Sequence, residues 1–310
     1  RALHARLSAG DGTAPTGPDA PAVAAALRAF QTRHGLKADA IPGRATRAAL
    51  AVTPAARVAQ IGLALERARW DEARPLPDGI EVNIPAYALE YRRAGAVQLT
   101  SAVVVGLPDW PTPVFEARAT AVQFNPYWNV PTSIVRAELL PKVRRRPQYL
   151  AAQGIEVLDG WGEDARVLDP AAVDWHGPRA PGLRYRQLPG PKNPLGRLKV
   201  HMPNQYAVFL HDSPARALFD VDARALSHGC VRVARARELA ARLLAGERDP
   251  AAGTATVDAV LADQAPQRVA LPGPVVVRMV YRTAWVDQAG AVQLRADIYG
   301  RDRALAAALS

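Results

Sequence analysis

Cys230 is the only cysteine in 310 residues, and it stands in LSHGCVRV, residues 226–233, between a Ser-His-Gly run and an arginine. A thiol buried for packing needs no such company. A reactive one wants polar neighbours, some exposure and a base within reach. The chain holds six histidines; His211 ends the predicted strand YAVFLH nineteen residues before the cysteine, and His228 lies two residues before it. A strand end can hold an imidazole across from a loop, whereas an i, i+2 neighbour in a tight turn often points elsewhere. His211 is therefore the better base, and His228 shapes the turn. The other ring nitrogen of His211 needs an acceptor, which a backbone carbonyl near Asp212 or Ser213 can supply; the part of the Asp212 carboxylate stays open. Cys230 falls in a short Gly-containing turn just ahead of a predicted helix, where backbone N–H groups and the helix dipole stabilise a thiolate and later an oxyanion.

Two other readings compete. An isolated cysteine is often a small core hydrophobe. His211, His228 and Cys230 could also form a zinc site, which needs a fourth ligand or an open position. The polar setting favours thiol catalysis, with no metal and no organic cofactor. One cysteine excludes an internal disulfide and a four-thiolate zinc site. It also leaves the thiol no internal partner in an oxidising compartment, which suits an enzyme working outside the cytosol.

These residues must be positioned by the elements around them. Residues 10–21, GDGTAPTGPDAP, read as a loop. VAAALRAFQTRHGL places Val23, Leu27 and Phe30 at helical spacing and ends near Gly35. After the ADAIPGRAT turn, Thr46 is placed to cap a second helix through Leu50, and a third runs from about Pro54 to Trp70 before the linker RPLPDG at 74–79. From Ile80 the pattern alternates as strands in IEVNIPAYALEYRR, AVQLTSAVVVG and ARATAVQFNPYWNVP. Between about Ser133 and Tyr185 it turns helical and irregular, as an insertion would. Strands resume at GRLKVHMP and QYAVFLHDSP. Ala236, Leu239, Ala240, Leu243 and Leu244 form one apolar stripe stopped by Gly246. PVVVRMVYRTAWVD and AVQLRADIYG close the domain as two strands.

Composition is globular, at 49% hydrophobic and 22% charged residues, and no apolar run reaches the length of a membrane span. No stable membrane insertion is expected. The chain begins at Arg1, which reads as a processing boundary with any export signal removed. The net charge of +10 favours anionic partners, but only four of the basic residues are lysines, which is the pattern of a GC-rich codon bias. The basic run Lys142–Arg146 lacks the interleaved aromatics of a nucleic-acid platform, so no nucleic acid is expected.

SHGCVR, with HDSP upstream, resembles the active-site signature of the L,D-transpeptidases of the YkuD type. The likeness extends through VVVGLPDWPTPVFEARATAVQFNPYWNVPTSIVRAELLPK, GPKNPLGRLKVHMPNQYAVFLHDSP and TAWVDQAGAVQLRADIYGRD to the larger, periplasmic YcbB-like branch, which carries an insertion over the active site. It covers about residues 80–302. VAAALRAFQTRHGLKADAIPGRATRAAL resembles a peptidoglycan-binding helical module, with Asp39-Ala40 where the module usually has Asp-Gly.

The resemblance implies an α+β chain. A helical peptidoglycan-binding domain and connecting helix would span 1–73, and a mainly β catalytic domain 78–310, with a helical capping insertion at 133–185. It implies Cys230 as nucleophile and His211 as general base, with Gly229 and Cys230 as backbone donors to the oxyanion. Ser227, His228 and Arg232 would frame the pocket, although Arg232 could instead tie the turn to the sheet. Tyr127, Trp128 and Asn129 would line the cleft, or serve as core, and His201 and Asp212 are lesser candidates. The implied reaction joins third residues of two peptidoglycan stem peptides through a thioester, with carbapenem-type inhibitors as acylating agents and a Gram-negative periplasm as the location. Carboxypeptidase, endopeptidase or lipoprotein-attaching chemistry on the same fold, and a wall-binding structural protein, are the alternatives.

Overall fold

The computed structural model of the chain describes residues 20–73, 75–162, 164–246 and 249–309. The expected loop at 10–21 lies, but for its last two residues, outside them. Helices α1 (Ala20–Arg33), α2 (Arg44–Ala51) and α3 (Pro54–Glu72) open the described chain. Ala26, Leu27 and Phe30 of α1 bury their side chains against Ala49 and Leu50 of α2. The turn between them is organised by buried Gln31, whose Nε2 donates to Asp39 Oδ1 and Ile41 O, both at 3.0 Å, while its Oε1 accepts from Ala40 N–H at 2.9 Å. Thr46 is not the cap. The helix starts earlier, after Gly43, and Thr46 is buried inside it, accepting from Gln31 Nε2 at 3.3 Å. The hydroxyl that looked like a cap is taken up by the amide that pins the turn. Thr53 caps α3 instead, its side chain accepting from Ala56 N–H at 3.2 Å.

Strands follow: β1 (Gly79–Asn83), β2 (Ala88–Arg93), β3 (Ala96–Gly106), β4 (Phe115–Phe124) and β5 (Trp128–Asn129). Helix α4 (Thr132–Ile134) runs through a π-helical turn, Val135–Leu139, into α5 (Leu140–Arg145), and α6 (Tyr149–Gln153) comes next. Then come β6 (Ile155–Leu158), β7 (Val167–Leu168), β8 (Arg184–Gln187), β9 (Leu198–His201) and β10 (Leu210–His211). β11 (Ala225–Ser227) and β12 (Val231–Val233) flank the cysteine turn. Helices α7 (Ala236–Ala245) and α8 (Pro250–Asp263), strands β13 (Gln267–Val280), β14 (Ala284–Val286) and β15 (Val292–Leu294), and helix α9 (Arg301–Leu309) complete the chain. The two closing strands expected from sequence are thus three, broken at residues 281–283. No single described helix is long and apolar enough to cross a membrane.

The chain divides into two compact units. One comprises the residues up to Ala117, Ala217–Val231 and the chain from Val276 onward; the other comprises Arg118–Arg216 and Arg232–Val275. In the first, β1 lies between antiparallel β2 (Val82↔Leu89) and the end of β13, with which it is parallel (Val82↔Met279). β2 continues antiparallel into β3, and the end of β3 takes β11 in parallel, Ala225 beside Val105 and Ser227 beside Gly106. That pairing sets the cysteine turn against the last residue of β3. The helices are tied to the β14–β15 hairpin: Gln60 Nε2 donates to Thr283 O at 2.9 Å and Arg295 O at 2.8 Å, and Arg295 Nη1 donates to Arg33 O at 2.7 Å.

In the second unit β9 pairs antiparallel with β4 (Val122↔Val200) and with β10 (His211↔Lys199). A separate sheet, ordered β5-β8-β6-β7, packs Val157 and Tyr185 with Val143 and Leu150 into one buried cluster. The stretch 133–185 is therefore α-helical only as far as Gln153; beyond it run the short strands β6, β7 and β8, with two single 3-10 turns, Pro170–Ala172 and Ala180–Gly182, between β7 and β8. Strands of two to four residues separated by Gly/Pro breaks are too short to display alternation in sequence. Helix α8 also escaped the sequence reading. Its Gly253, a poor helix former, is there for close approach: a Cβ would stand 1.9 Å from Ala241 O of α7.

Candidate active site

The Ser227–Cys230 turn is closed by its own first side chain. Buried Ser227 donates its hydroxyl to Cys230 O at 2.5 Å and accepts from Gly229 N–H at 3.2 Å. Gly229 has φ +103°, a conformation L side chains rarely adopt, which explains glycine before the cysteine. Gly229 is buried and Cys230 half-buried, so the bend presents the cysteine. His228 is exposed and its ring lies on Trp110, centroids 4.0 Å apart. The expected helix does not begin directly after the cysteine. Strand β12 intervenes and α7 starts at Ala236, so the helix dipole, which acts within about one turn of the helix end, is not what the turn offers a thiolate.

A partly buried ring of hydrogen bonds backs this turn. Thr112 Oγ1 accepts from Gly106 N–H at 2.9 Å and donates to Gly229 O at 2.8 Å. Thr112 N–H donates to the Tyr299 hydroxyl at 3.3 Å, and that hydroxyl donates to Gly106 O at 2.6 Å. Tyr299 N–H in turn donates to the Tyr281 hydroxyl, which donates to Asp297 Oδ1 at 2.6 Å. Gly106 admits no side chain: a Cβ would lie 2.0 Å from Trp110 O.

In the other unit His211 is buried at the end of β10, with Nδ1 2.5 Å from Asp212 O. A carbonyl can only accept, so Nδ1 carries the proton and Nε2 is the basic nitrogen. Burial pushes the imidazole down to about 4; the Asp212 carbonyl opposes this, and the Arg232 and Lys199 charges add to it. His211 is neutral at neutral pH. The Asp212 carboxylate is directed elsewhere: Oδ2 accepts from Arg197 N–H at 3.0 Å and Oδ1 lies 3.6 Å from Arg216 Nη1. His201, two residues along β9 from the position opposite His211, is lowered by burial and by Arg268 and Lys199.

Tyr127, Trp128 and Asn129 separate by role. Trp128 packs against the buried cluster of the small sheet, Tyr127 is exposed under the Arg186 guanidinium, 4.6 Å from its ring centre, and Asn129 Oδ1 accepts from Arg184 Nε at 2.9 Å. Ser227, His228, Gly229 and Cys230 thus share one unit with Trp110, Thr112 and Tyr299. His211, Asp212, His201 and Arg232 share the other with Lys199. No group of three His, Cys, Asp or Glu side chains that could hold a metal occurs among the described residues.

A family model described as "L,D-transpeptidase catalytic domain", YkuD, matches residues 77–263, more than half of the chain. The chain belongs to the YkuD L,D-transpeptidase family. A second model, "Putative peptidoglycan binding domain", matches residues 2–50, so the L,D-transpeptidase domain is preceded by a helical peptidoglycan-binding domain. The "Putative L,D-transpeptidase" of Haemophilus influenzae is 39% identical over 237 residues, 74% of this chain, and the match spans 46% of that relative's length. Solved L,D-transpeptidases from Stackebrandtia nassauensis (13% identical, 90% of this chain and 88% of that one, TM-score 0.31) and Mycobacterium tuberculosis (14%, 65% and 60%, TM-score 0.27) also match, too distantly to carry argument about the site.

Trp110, Thr112 and Tyr299 were passed over in the sequence. WPTP, with an aromatic and a hydroxyl set between prolines at a strand's start, was the one available signal for the first two. Nothing local marks Tyr299.

Proposed function

We propose that this L,D-transpeptidase joins the third residues of two peptidoglycan stem peptides through a thioester on Cys230. The reading is carried by the state of His211, a buried neutral imidazole whose Nδ1–H is committed to the Asp212 carbonyl, which leaves Nε2 as base. His211 takes the thiol proton as Sγ attacks the carbonyl of the third stem residue. The C–N bond to the terminal D-alanine breaks, and the departing amine takes that proton. An amine of a second stem then attacks the thioester, gives a proton to His211 and expels the thiolate. A thioester lets an amine compete with water if the site is covered, and residues 133–185 are assigned as the cap.

Cys230 N–H is the oxyanion donor in this scheme. Gly229 N–H is already directed at Ser227 Oγ, so its part is to hold the bend. Ser227 and Thr112 fix the turn, His228 and Trp110 form an aromatic wall beside it, and the Arg232 charge adds to the burial that keeps His211 neutral. The chain divides into a wall-binding segment, 1–73, and the catalytic segment, 78–310, working in the periplasm of a Gram-negative cell.

Purified tetrapeptide muropeptides are the test, read by mass spectrometry. Crosslinked dimers with release of D-alanine are expected, and none with Cys230→Ala. Trimmed monomers alone would make the enzyme a carboxypeptidase. A carbapenem should add its mass to Cys230 in the wild-type protein; no adduct would remove the nucleophile assignment.

A further inference from the structure

Gly229 C=O and Cys230 N–H belong to one peptide group. A trans peptide is planar and its C=O and N–H point in opposite directions, so whatever holds the oxygen aims the hydrogen. The oxygen is held by Thr112, through a completely buried hydroxyl whose direction leaves no choice: it accepts from Gly106 N–H at 2.9 Å, and its proton goes to Gly229 O at 2.8 Å. Tyr299 fixes the Thr112 backbone from the other side, at 3.3 Å, and closes the ring on Gly106 O at 2.6 Å. We propose that Thr112, braced by Tyr299, is the positioning residue that aims the Cys230 amide at the oxyanion and strengthens it as a donor by hydrogen-bonding its peptide partner. The proposal rests on the Cys230 nucleophile reading above.

The neighbouring geometry supports a role in the peptide plane rather than in packing. Gly229 at φ +103° has no side chain to restrict rotation of this peptide, so a fixed orientation has to come from outside. The next peptide group is fixed in the same way, by Ser227 Oγ on Cys230 O at 2.5 Å. Donation to a carbonyl oxygen polarises the amide and makes its N–H a better donor. In acyl transfer, removing one preorganised donor slows the reaction about 10²–10³-fold; misaiming one should cost about 10- to 100-fold.

The experiment uses the full chain and two reagents that act on the same sulfur. A carbapenem passes through a tetrahedral oxyanion. Iodoacetamide alkylates by displacement and forms none. Thr112→Val keeps the shape and removes the hydroxyl; it should acylate about 10- to 100-fold more slowly while alkylating within about twofold of wild type. Thr112→Ser keeps the hydroxyl and should restore acylation. Tyr299→Phe should show the same split with a smaller loss, and it carries the test if Thr112→Val does not fold. Equal acylation of wild type and both variants would overturn the proposal, as would acylation and alkylation falling together without rescue by serine. A wild-type protein that takes up no carbapenem would instead sink the nucleophile reading itself.

Discussion

His211 gives its Nδ1 proton to the carbonyl of its own neighbour, Asp212, across 2.5 Å, while two cations, Arg232 and Lys199, lie near enough to disfavour a second proton. The ring is buried, so desolvation acts in the same direction and exceeds both. The imidazole therefore stays neutral well below the ordinary histidine range.

The pH consequences have definite signs. Protonating His211 removes the proposed base, so the acid limb of kcat/KM should fall near pH 4 rather than at about 6.5. Lys199→Gln removes a charge that lowers the ring and should move the limb to higher pH. For stability, the folded pKa is depressed and the neutral form is the one the fold prefers. That contribution is full above about 6.5 and is lost as pH falls to about 4, amounting to about 3 kcal/mol, because the unfolded chain takes up the proton first. Chemical denaturation between pH 7 and 4 should show the loss in wild type and a smaller one in His211→Gln.

Ala40 occupies a left-handed position, φ +60°, in the turn where peptidoglycan-binding modules of this type usually have glycine. An L side chain is strained there, and the turn cannot relax because Gln31 holds Ala40 N–H at 2.9 Å. Ala40→Gly should stabilise the protein by about 0.5–1 kcal/mol, read as a raised midpoint in denaturant.

Arg282 joins α3 to β1. Its Nη1 and Nη2 reach the two oxygens of Glu81 at 2.5 and 2.9 Å, its Nε reaches Asp71 Oδ2 at 2.7 Å, and its backbone N–H donates to Asn83 Oδ1 at 3.0 Å. Arg282→Met leaves two carboxylates facing each other and should destabilise by about 2–4 kcal/mol. Glu81→Gln, which keeps half the fork, should cost less. Thermal melts of the two variants rank them.

Leu150 is fully buried in the cluster that unites the helices and small sheet of the proposed cap. Leu150→Ala should cost about 2–5 kcal/mol of local stability. If this segment shields the thioester, the variant should also shift products from dimers towards trimmed monomers. An unchanged ratio in a measurably loosened cap would remove the shielding role.

The bend at the cysteine was legible because it is a local pattern that demands glycine at 229; the expected strand YAVFLH was legible only at its end, since Tyr206 lies in a turn, Ala207 has φ +52° and only Leu210 and His211 pair as strand. Helices α1 and α3 were legible through their periodicity and terminators. The small sheet at 155–187 was not, since two to four residues are too few to show a period, and α8 was not, since a central glycine and a weak apolar face argue against a helix until α7 is present to pack on it. Thr46 misled for a related reason: a hydroxyl near a helix start reads as a cap, and only the position of the Gln31 amide shows it buried one turn in.

By itself, then, the order of residues determined which side chains are candidates for chemistry and which backbone bends are allowed, because both depend on side-chain type and on neighbours one to four positions away. It did not determine what braces them. Thr112 meets a carbonyl 117 positions later, and Tyr299 closes on a glycine 193 positions earlier. A buried donor is satisfied by whatever acceptor the folded chain brings within 3 Å of it, and only tertiary structure decides which one that is.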